Sequence, residues 1–243
     1  MDSFAPETLA IAAAIAAAAG LIRGVTGFGG AMVMSPPLAL LLGPLAAIPI
    51  VLLLEALAGT PMLVQTRALV KWRVIGPIII AACVTIPLGA LVLVNSDPLV
   101  MRRAIAVTVI VFALLLLAGW RYSGSHGLPV ALGLGAVSGT LVGATSLGGP
   151  PVIIYLLAGP DRIETTRANL TFFLSAVSAA GLAGLWLNDA LTWRALGAAA
   201  LLAPGYFGGI ALGMYLFPRF DDRRYRQLAL ALMAVVSLGI LLA

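Results

Sequence analysis

The chain has 243 residues, of which 62% are hydrophobic and 9% are charged, and it carries a formal net charge of +5. Soluble domains carry about 25% charged residues, so a chain of this composition cannot cover a water-soluble surface. Its basic balance does not indicate nucleic-acid binding, because the arginines stand at the ends of apolar segments and form no stripe. In a membrane protein such an excess usually encodes orientation.

Ten apolar segments separated by short loops run the length of the chain. They cover about residues 8–23, 31–43, 44–65, 74–95, 103–119, 128–142, 148–159, 167–187, 195–217 and 226–243. A membrane-spanning helix needs roughly 20 apolar residues, so the pattern predicts an all-α polytopic membrane protein. Residues 1–7 contain no Lys or Arg, and we therefore expect the first segment to belong to the mature protein. The single cysteine, Cys83, lies in an apolar run and offers no disulfide framework.

Two glycine-rich stretches interrupt this pattern, residues 24–30 and 143–149. The flanking segments 8–23 and 31–43 would be about 24 Å and 20 Å long as helices, against a hydrocarbon core of about 30 Å. Clustered glycines followed by Pro36-Pro37 or Pro150-Pro151 favour a break over a continuous helix. We expect a broken or re-entrant first helix pair, followed by three transmembrane helices, in each half of the chain.

The two stretches also indicate an internal duplication. Gly24 and Gly143 begin related motifs 119 positions apart, and Trp72 and Trp193 lie in related Trp-Arg motifs 121 positions apart. Such a nearly constant offset predicts two repeats, residues 1–121 and 122–243, that together form one transmembrane transport domain.

Loop charges predict how the repeats are oriented. If each broken pair makes an even number of crossings, ten basic residues fall on one side: Arg67, Lys71, Arg73, Arg121, Arg162, Arg167, Arg219, Arg223, Arg224 and Arg226. Three fall on the other: Arg102, Arg103 and Arg194. A continuous crossing would divide the same residues eight to five. The positive-inside rule favours the ten-to-three division, which predicts inverted repeats with both termini outside the cytoplasm.

Inverted repeats with discontinuous helices are typical of transporters that bind substrate near the midplane. A helix that begins inside the membrane presents free N–H groups and the positive end of its dipole, which together can bind an anion. Thr26 and Thr145 could add hydroxyl donors. The alternative is that the glycines serve close helix packing, as small residues often do in membranes.

The paired motifs G-x-T-G-x-G-G and G-x-T-x-x-G-G-P-P, with a Trp-Arg after the next full span, resemble the TauE/SafE family of sulfite and organosulfonate permeases. The resemblance extends over essentially the whole chain. It implies a membrane transporter of small sulfur-containing anions. Carried over to this chain, the family's motif implies a substrate site at Gly24, Thr26, Gly27, Gly29, Gly30, Gly143, Thr145, Ser146, Gly148 and Gly149. Ser146 stands where the first copy has Gly27, so the two halves need not be equal.

Two charged residues extend the predicted site. Glu55 lies in the middle of an apolar segment, where a carboxylate is expensive, and is a proton-coupling candidate; a structural hydrogen bond is the alternative. Arg23 precedes the first glycine-rich stretch and could offer a positive charge to an anion; snorkelling to the headgroups is the alternative. Asn169 is predicted to be a polar group at a helix end, and His126 to be solvated.

Enzyme activity is not predicted. The single histidine lies in a loop, no Cys/His cluster offers a metal site, and no Walker-type loop is present, so we expect no cofactor. The predicted partners are a small anion and the lipid bilayer of the cell's inner, cytoplasmic membrane, without nucleic acid, and homo-oligomerisation is left open. The alternative function is an anion channel or a membrane-embedded assembly subunit.

Overall fold

A computed structural model describes residues 5–120, 122–124, 127–159 and 161–216, and within these ranges the chain is helical without β-strands. The helices are α1 Pro6–Thr26, α2 Gly30–Leu42, α3 Pro44–Thr66, α4 Trp72–Asn95, α5 Pro98–Leu117, α6 Leu128–Thr145, α7 Gly149–Leu157, α8 Ile163–Leu187 and α9 Trp193–Leu216. Six of them, α1, α4, α5, α6, α8 and α9, are long and apolar enough to cross a membrane. The prediction of an all-α polytopic membrane protein is confirmed for these ranges.

Nine of the ten predicted segments correspond to α1–α9. The tenth, residues 226–243, lies outside the described residues, as do Arg121, His126, Arg219, Arg223, Arg224 and Arg226. Prolines define several helix starts, since a proline in the first turn removes an N–H that has no helical partner there. Helix α5 is an example: Pro98 follows Asp97, whose carboxylate accepts hydrogen bonds from the N–H groups of Leu99 and Val100 at 2.8 and 3.3 Å.

One detail of the predicted breaks was wrong. Helix α1 has 21 residues, or about 31 Å, so it is not too short to cross the membrane. Helix α2, with 13 residues, is about 20 Å long as expected. Pro36 and Pro37 lie inside α2 and do not end a helix.

Close helix packing joins α1 to α9. Gly20 faces the backbone of Tyr206, and Gly24 faces the backbone of Ile210 and lies near Gly213, so contacts advance in the same direction along both helices. The two helices are therefore parallel. A Cβ on either glycine would overlap the opposite backbone, which explains why small residues are needed.

Helices α6 and α4 pack in the same way. Gly139 faces the backbone of Ala82, and Gly143 faces that of Ile86, so α6 and α4 are also parallel. Gly89 of α4 in turn meets the carbonyl of Thr140. On α9, Gly213 meets the carbonyl of Leu21 in the corresponding manner.

The two ends of the bundle are identified by their loops. At one end, which we call the Lys71 end, the side chain of Lys71 pairs with Asp161 and its N–H donates to Asn169 Oδ1 at 2.8 Å. At the other, the Arg194 end, a cavity is lined by Leu42, Val94 and Arg194 among others. Because Val94 lies in the last turn of α4 and Arg194 in the first turn of α9, these two helices run in opposite directions.

Each helix pair around a glycine-rich stretch returns to the end at which it begins. Helix α1 runs parallel to α9 from the Arg194 end, and Leu42, at the end of α2, lies again at that end. Helix α6 begins with Leu128 at the Lys71 end, and Leu156 of α7 lines the same cavity there as Leu128 and Lys71. The two breaks are therefore approached from opposite ends of the bundle.

Candidate functional site

The breaks have matching backbone geometry. Gly27 follows α1 with φ 78° and Ser146 follows α6 with φ 61°, so both helices end in a left-handed residue. The N–H of Gly27 donates to the carbonyl of Arg23 at 2.8 Å, and the N–H of Ser146 to that of Val142 at 2.9 Å. This geometry favours glycine, and a non-glycine residue such as Ser146 adopts it only uncommonly.

Both breaks line one small buried space. Its volume is about 20 Å³, which is room for about one water molecule. From the first break and its surroundings come Arg23, Phe28, Gly29, Ala31, Met32 and Glu55. From the second come Val142, Ser146, Leu147, Gly148, Gly149, Pro150, Ile153, Leu174, Val177 and Ser178. We call this space the inter-break cavity.

One half of the inter-break cavity is charged. Arg23 Nη1 lies 2.7 Å from Glu55 Oε2, and the hydroxyl of Tyr206 donates to Glu55 Oε1 at 2.8 Å. Nη1 is not aligned for a hydrogen bond, so opposite charges hold this contact. The three residues are 6%, 3% and 0% exposed, so the triad is sequestered from solvent.

This pairing changes the interpretation of Arg23 and Glu55. The carboxylate is not alone in its apolar span, and the guanidinium does not reach a membrane surface, because each is the counter-ion of the other. Gly30 packs directly against this triad, since a Cβ there would overlap Glu55 Oε1 and lie 2.6 Å from the Tyr206 hydroxyl.

The other half of the cavity is apolar. Val142 and Leu174, which line the cavity, stand 119 positions after Arg23 and Glu55, at the same offset as the glycine motifs. A Cβ on Gly149 would lie 2.8 Å from Leu174 Cδ2, in the way that one on Gly30 would meet Glu55. The charge pair therefore lies on one side of the cavity only.

Serine and threonine hydroxyls hold the second break in place. Ser35 Oγ of α2 and Ser146 Oγ are 2.7 Å apart, which links the two breaks directly, and Ser138 Oγ donates to the carbonyl of Gly148. Thr145 Oγ1 donates to the carbonyl of Leu141 at 2.7 Å. Since its proton is used within α6, this hydroxyl is not a free donor for an anion.

The predicted site residues separate into two groups. Arg23, Gly29, Glu55, Ser146, Gly148 and Gly149 line the inter-break cavity. Gly24 and Gly143 instead pack α1 against α9 and α6 against α4, which is the packing role considered as the alternative. Gly27 faces the guanidinium of Arg167, and a Cβ added at Gly27 would lie 3.3 Å from Arg167 Nε. Gly30 packs against the triad. The side chain of Thr26 is outside the described structure.

Sequence reasoning missed Tyr206, Ser35 and the position of Arg167. Tyr206 lies in a glycine-rich stretch in the middle of α9. A tyrosine there could have indicated a buried polar group, because a buried phenol usually has a hydrogen-bond partner. Arg167 was counted as a loop charge, although it lies on α8 with its guanidinium over the first break. Asn169 is fully buried, and its role in anchoring the loop at Lys71 agrees with a helix-end polar group.

Comparison with curated proteins and with solved structures gives no match. The sequence model described as "Sulfite exporter TauE/SafE" matches residues 12–240. Members of that family are membrane transporters rather than enzymes, and the six long apolar helices of this chain agree with a membrane location. The resemblance carried by the glycine-rich motifs is thereby confirmed, and the chain belongs to the TauE/SafE sulfite exporter family of membrane transport proteins.

Proposed function

We propose that this protein is a secondary transporter or exporter of small sulfur-containing anions, such as sulfite or organosulfonates, in the cytoplasmic membrane. The anion binds in the inter-break cavity, between the two glycine-rich breaks. The observation that carries this proposal is that both breaks, although 119 positions apart, line one buried space beside the Arg23–Glu55 pair. The family supplies the substrate class.

The backbone of the first break suits an anion better than that of the second. Helix α2 begins at Gly30 after Gly29, whose φ of 88° lets the chain turn into the cavity. Its first-turn N–H groups carry the positive end of the helix dipole. Helix α7 begins with Gly149 followed by Pro150 and Pro151, which have no N–H, so it offers fewer donors. The anionic group therefore binds nearer the first break.

The domain organisation that we infer is a pair of inverted repeats, residues 1–121 and 122–243. Contacts between the halves are reciprocal: α1 of the first packs on α9 of the second, and α6 of the second packs on α4 of the first. Equivalent helices α4 and α9 run in opposite directions. This antiparallel relation, with the predicted ten-to-three distribution of basic residues, supports two repeats that are related by a pseudo-twofold axis in the membrane plane.

This arrangement suits alternating access. The helix pairs α1–α2 and α6–α7 approach the cavity from opposite ends of the bundle, so movement of either pair would open the cavity toward one side. At about 20 Å³ the cavity is closed to an oxyanion in the described conformation. A cavity this small leaves no wet path between the two breaks in the described conformation, whereas an open conducting channel needs a continuous one.

Transport by the purified protein in proteoliposomes tests the proposal. Uptake and efflux would be measured over sulfite, alkanesulfonates, sulfate and carboxylates. We expect saturable flux of one or more sulfur anions, with faster efflux when the same anion is present on the opposite side. Flux that does not saturate and shows no such exchange would support a channel, and the absence of any anion flux would contradict both.

A further inference from the structure

We propose that the transported anion replaces the Glu55 carboxylate as the counter-ion of Arg23, so that one proton on Glu55 accompanies each monovalent anion. This inference rests on the proposed function and gives it a coupling mechanism. It assigns Arg23 to the anion, Glu55 to the proton and Tyr206 to holding Glu55 in both states. It also selects monoanions over dianions as substrates.

The first step is a count of buried charge. Arg23 and Glu55 form a pair of net charge zero in an apolar surrounding, with Nη1 and Oε2 2.7 Å apart. An anion that entered beside the intact pair would be a buried charge without a counter-ion, which is strongly unfavourable. If Glu55 first takes up a proton, the site has a charge of +1, and one monoanion restores neutrality.

The groups that face Glu55 are compatible with both states. Arg23 faces it from α1 and Tyr206 from α9, while α2, which packs through Gly30, carries no titratable side chain. On α8, Arg167 lies over Gly27. The Tyr206 hydroxyl donates to the carboxylate at 2.8 Å, and the same hydroxyl can accept from a protonated carboxyl group. Glu55 therefore keeps a partner when Arg23 turns to the anion.

The apolar half of the cavity limits the charge of the anion that can bind. Val142 and Leu174 stand 119 positions after Arg23 and Glu55 and carry no charge. Arg23 is the one cation among the described residues that line the cavity, because Arg167 lies over Gly27 outside this lining. A dianion in the cavity would therefore leave one charge uncompensated there even with Glu55 protonated. The apolar lining suits the organic group of a sulfonate, whose single charge would lie toward Arg23.

Methanesulfonate is the appropriate probe, because it stays a monoanion throughout the pH range used and any proton uptake belongs to the protein. For the wild-type protein, the apparent Kd should rise with pH by up to about tenfold per pH unit, since binding takes up one proton. In Glu55→Gln the Kd should not depend on pH. The double variant Arg23→Gln/Glu55→Gln is the matched control without either charge, and it should not bind methanesulfonate.

Flux measurements give a second readout. In proteoliposomes, wild-type methanesulfonate flux should follow a pH gradient and be unaffected by membrane potential. Flux in Glu55→Gln should follow the potential and be unaffected by the pH gradient. A wild-type Kd independent of pH, or wild-type flux driven by potential, would overturn the coupling inference even if Glu55→Gln failed to fold. If the wild-type protein binds and moves no anion of the panel, the proposed function itself fails.

Discussion

Gly30 of α2 faces the Glu55 carboxylate of α3 so closely that a methyl group at position 30 would overlap Oε1. The first residue of a helix that begins at a glycine-rich break therefore lies against the buried charge pair. The break and the charge pair must be considered as one unit. A change in the position of α2 would directly change the groups that surround the Glu55 carboxylate.

Gly30→Ala is expected to abolish transport. The added methyl group would lie 2.6 Å from the Tyr206 hydroxyl and 3.2 Å from Arg23 Cδ, so the buried triad would have to shift to accommodate it. Gly197→Ala in α9 is the matched control, because nothing lies within 4 Å of a Cβ there. Transport and thermal unfolding would be measured for both. Normal transport by a folded Gly30→Ala protein would argue against the close coupling of break and triad.

Substitution of Gly29 and of Gly148 should each impair anion binding, but for different physical reasons. Gly29 has φ 88°, so Gly29→Ala carries a backbone penalty of about 1–2 kcal/mol. Gly148 has φ −76°, and there the obstacle is steric: a Cβ would lie 2.5 Å from the Ser138 carbonyl oxygen. We expect both alanine variants, and more strongly the valine variants, to lose anion binding.

Gly119→Ala is the control for the backbone penalty at Gly29. Its φ is 66° and nothing lies within 4 Å of a Cβ, so it shares the strain but is remote from the cavity. Thermal unfolding should show a similar loss of stability for Gly29→Ala and Gly119→Ala, whereas anion binding should fall only in Gly29→Ala. Equal binding by the two variants would remove the first break from the anion site.

The Arg23–Glu55 pair should show strong coupling in a double-mutant cycle. Arg23→Gln or Glu55→Gln alone leaves a buried charge unpaired, which typically costs about 3–5 kcal/mol. The double variant leaves no buried charge and should be closer to the wild-type protein in stability. Thermal unfolding in detergent without anion measures this. Additive effects of the two single substitutions would show that the pair does not form in the membrane protein.

The predicted topology can be tested by cysteine labelling in a Cys83→Ala background. Thr192, before α9, lies at the Arg194 end, and Arg73, in α4, lies at the Lys71 end. An impermeant thiol reagent should label Thr192→Cys and Ser3→Cys from outside the cell and Arg73→Cys only from the cytoplasm. Labelling of positions 3 and 192 from the cytoplasm alone would refute the predicted orientation, in which the N-terminus and the Arg194 end lie outside the cytoplasm.

The sequence alone determined the class of protein and the positions of its breaks. Long apolar segments require a bilayer, and left-handed chain turns such as that at Gly27 favour glycine, so both features depend on local chemistry. Pro36 and Pro37 lie inside α2, after the break that the glycines predicted. Glu55 stood out because a carboxylate in an apolar run is costly wherever it packs.

Only the tertiary structure decided what that carboxylate contacts. Arg23, Glu55 and Tyr206 come from three helices, and the Glu55–Tyr206 hydrogen bond joins residues 151 positions apart. Packing also separated glycines that look alike in sequence, since Gly24 joins α1 to α9 whereas Gly29 lines the cavity. Local sequence sets where a helix ends and what a side chain costs to bury. The identity of its partner depends on which helix faces it, which is a property of the whole bundle.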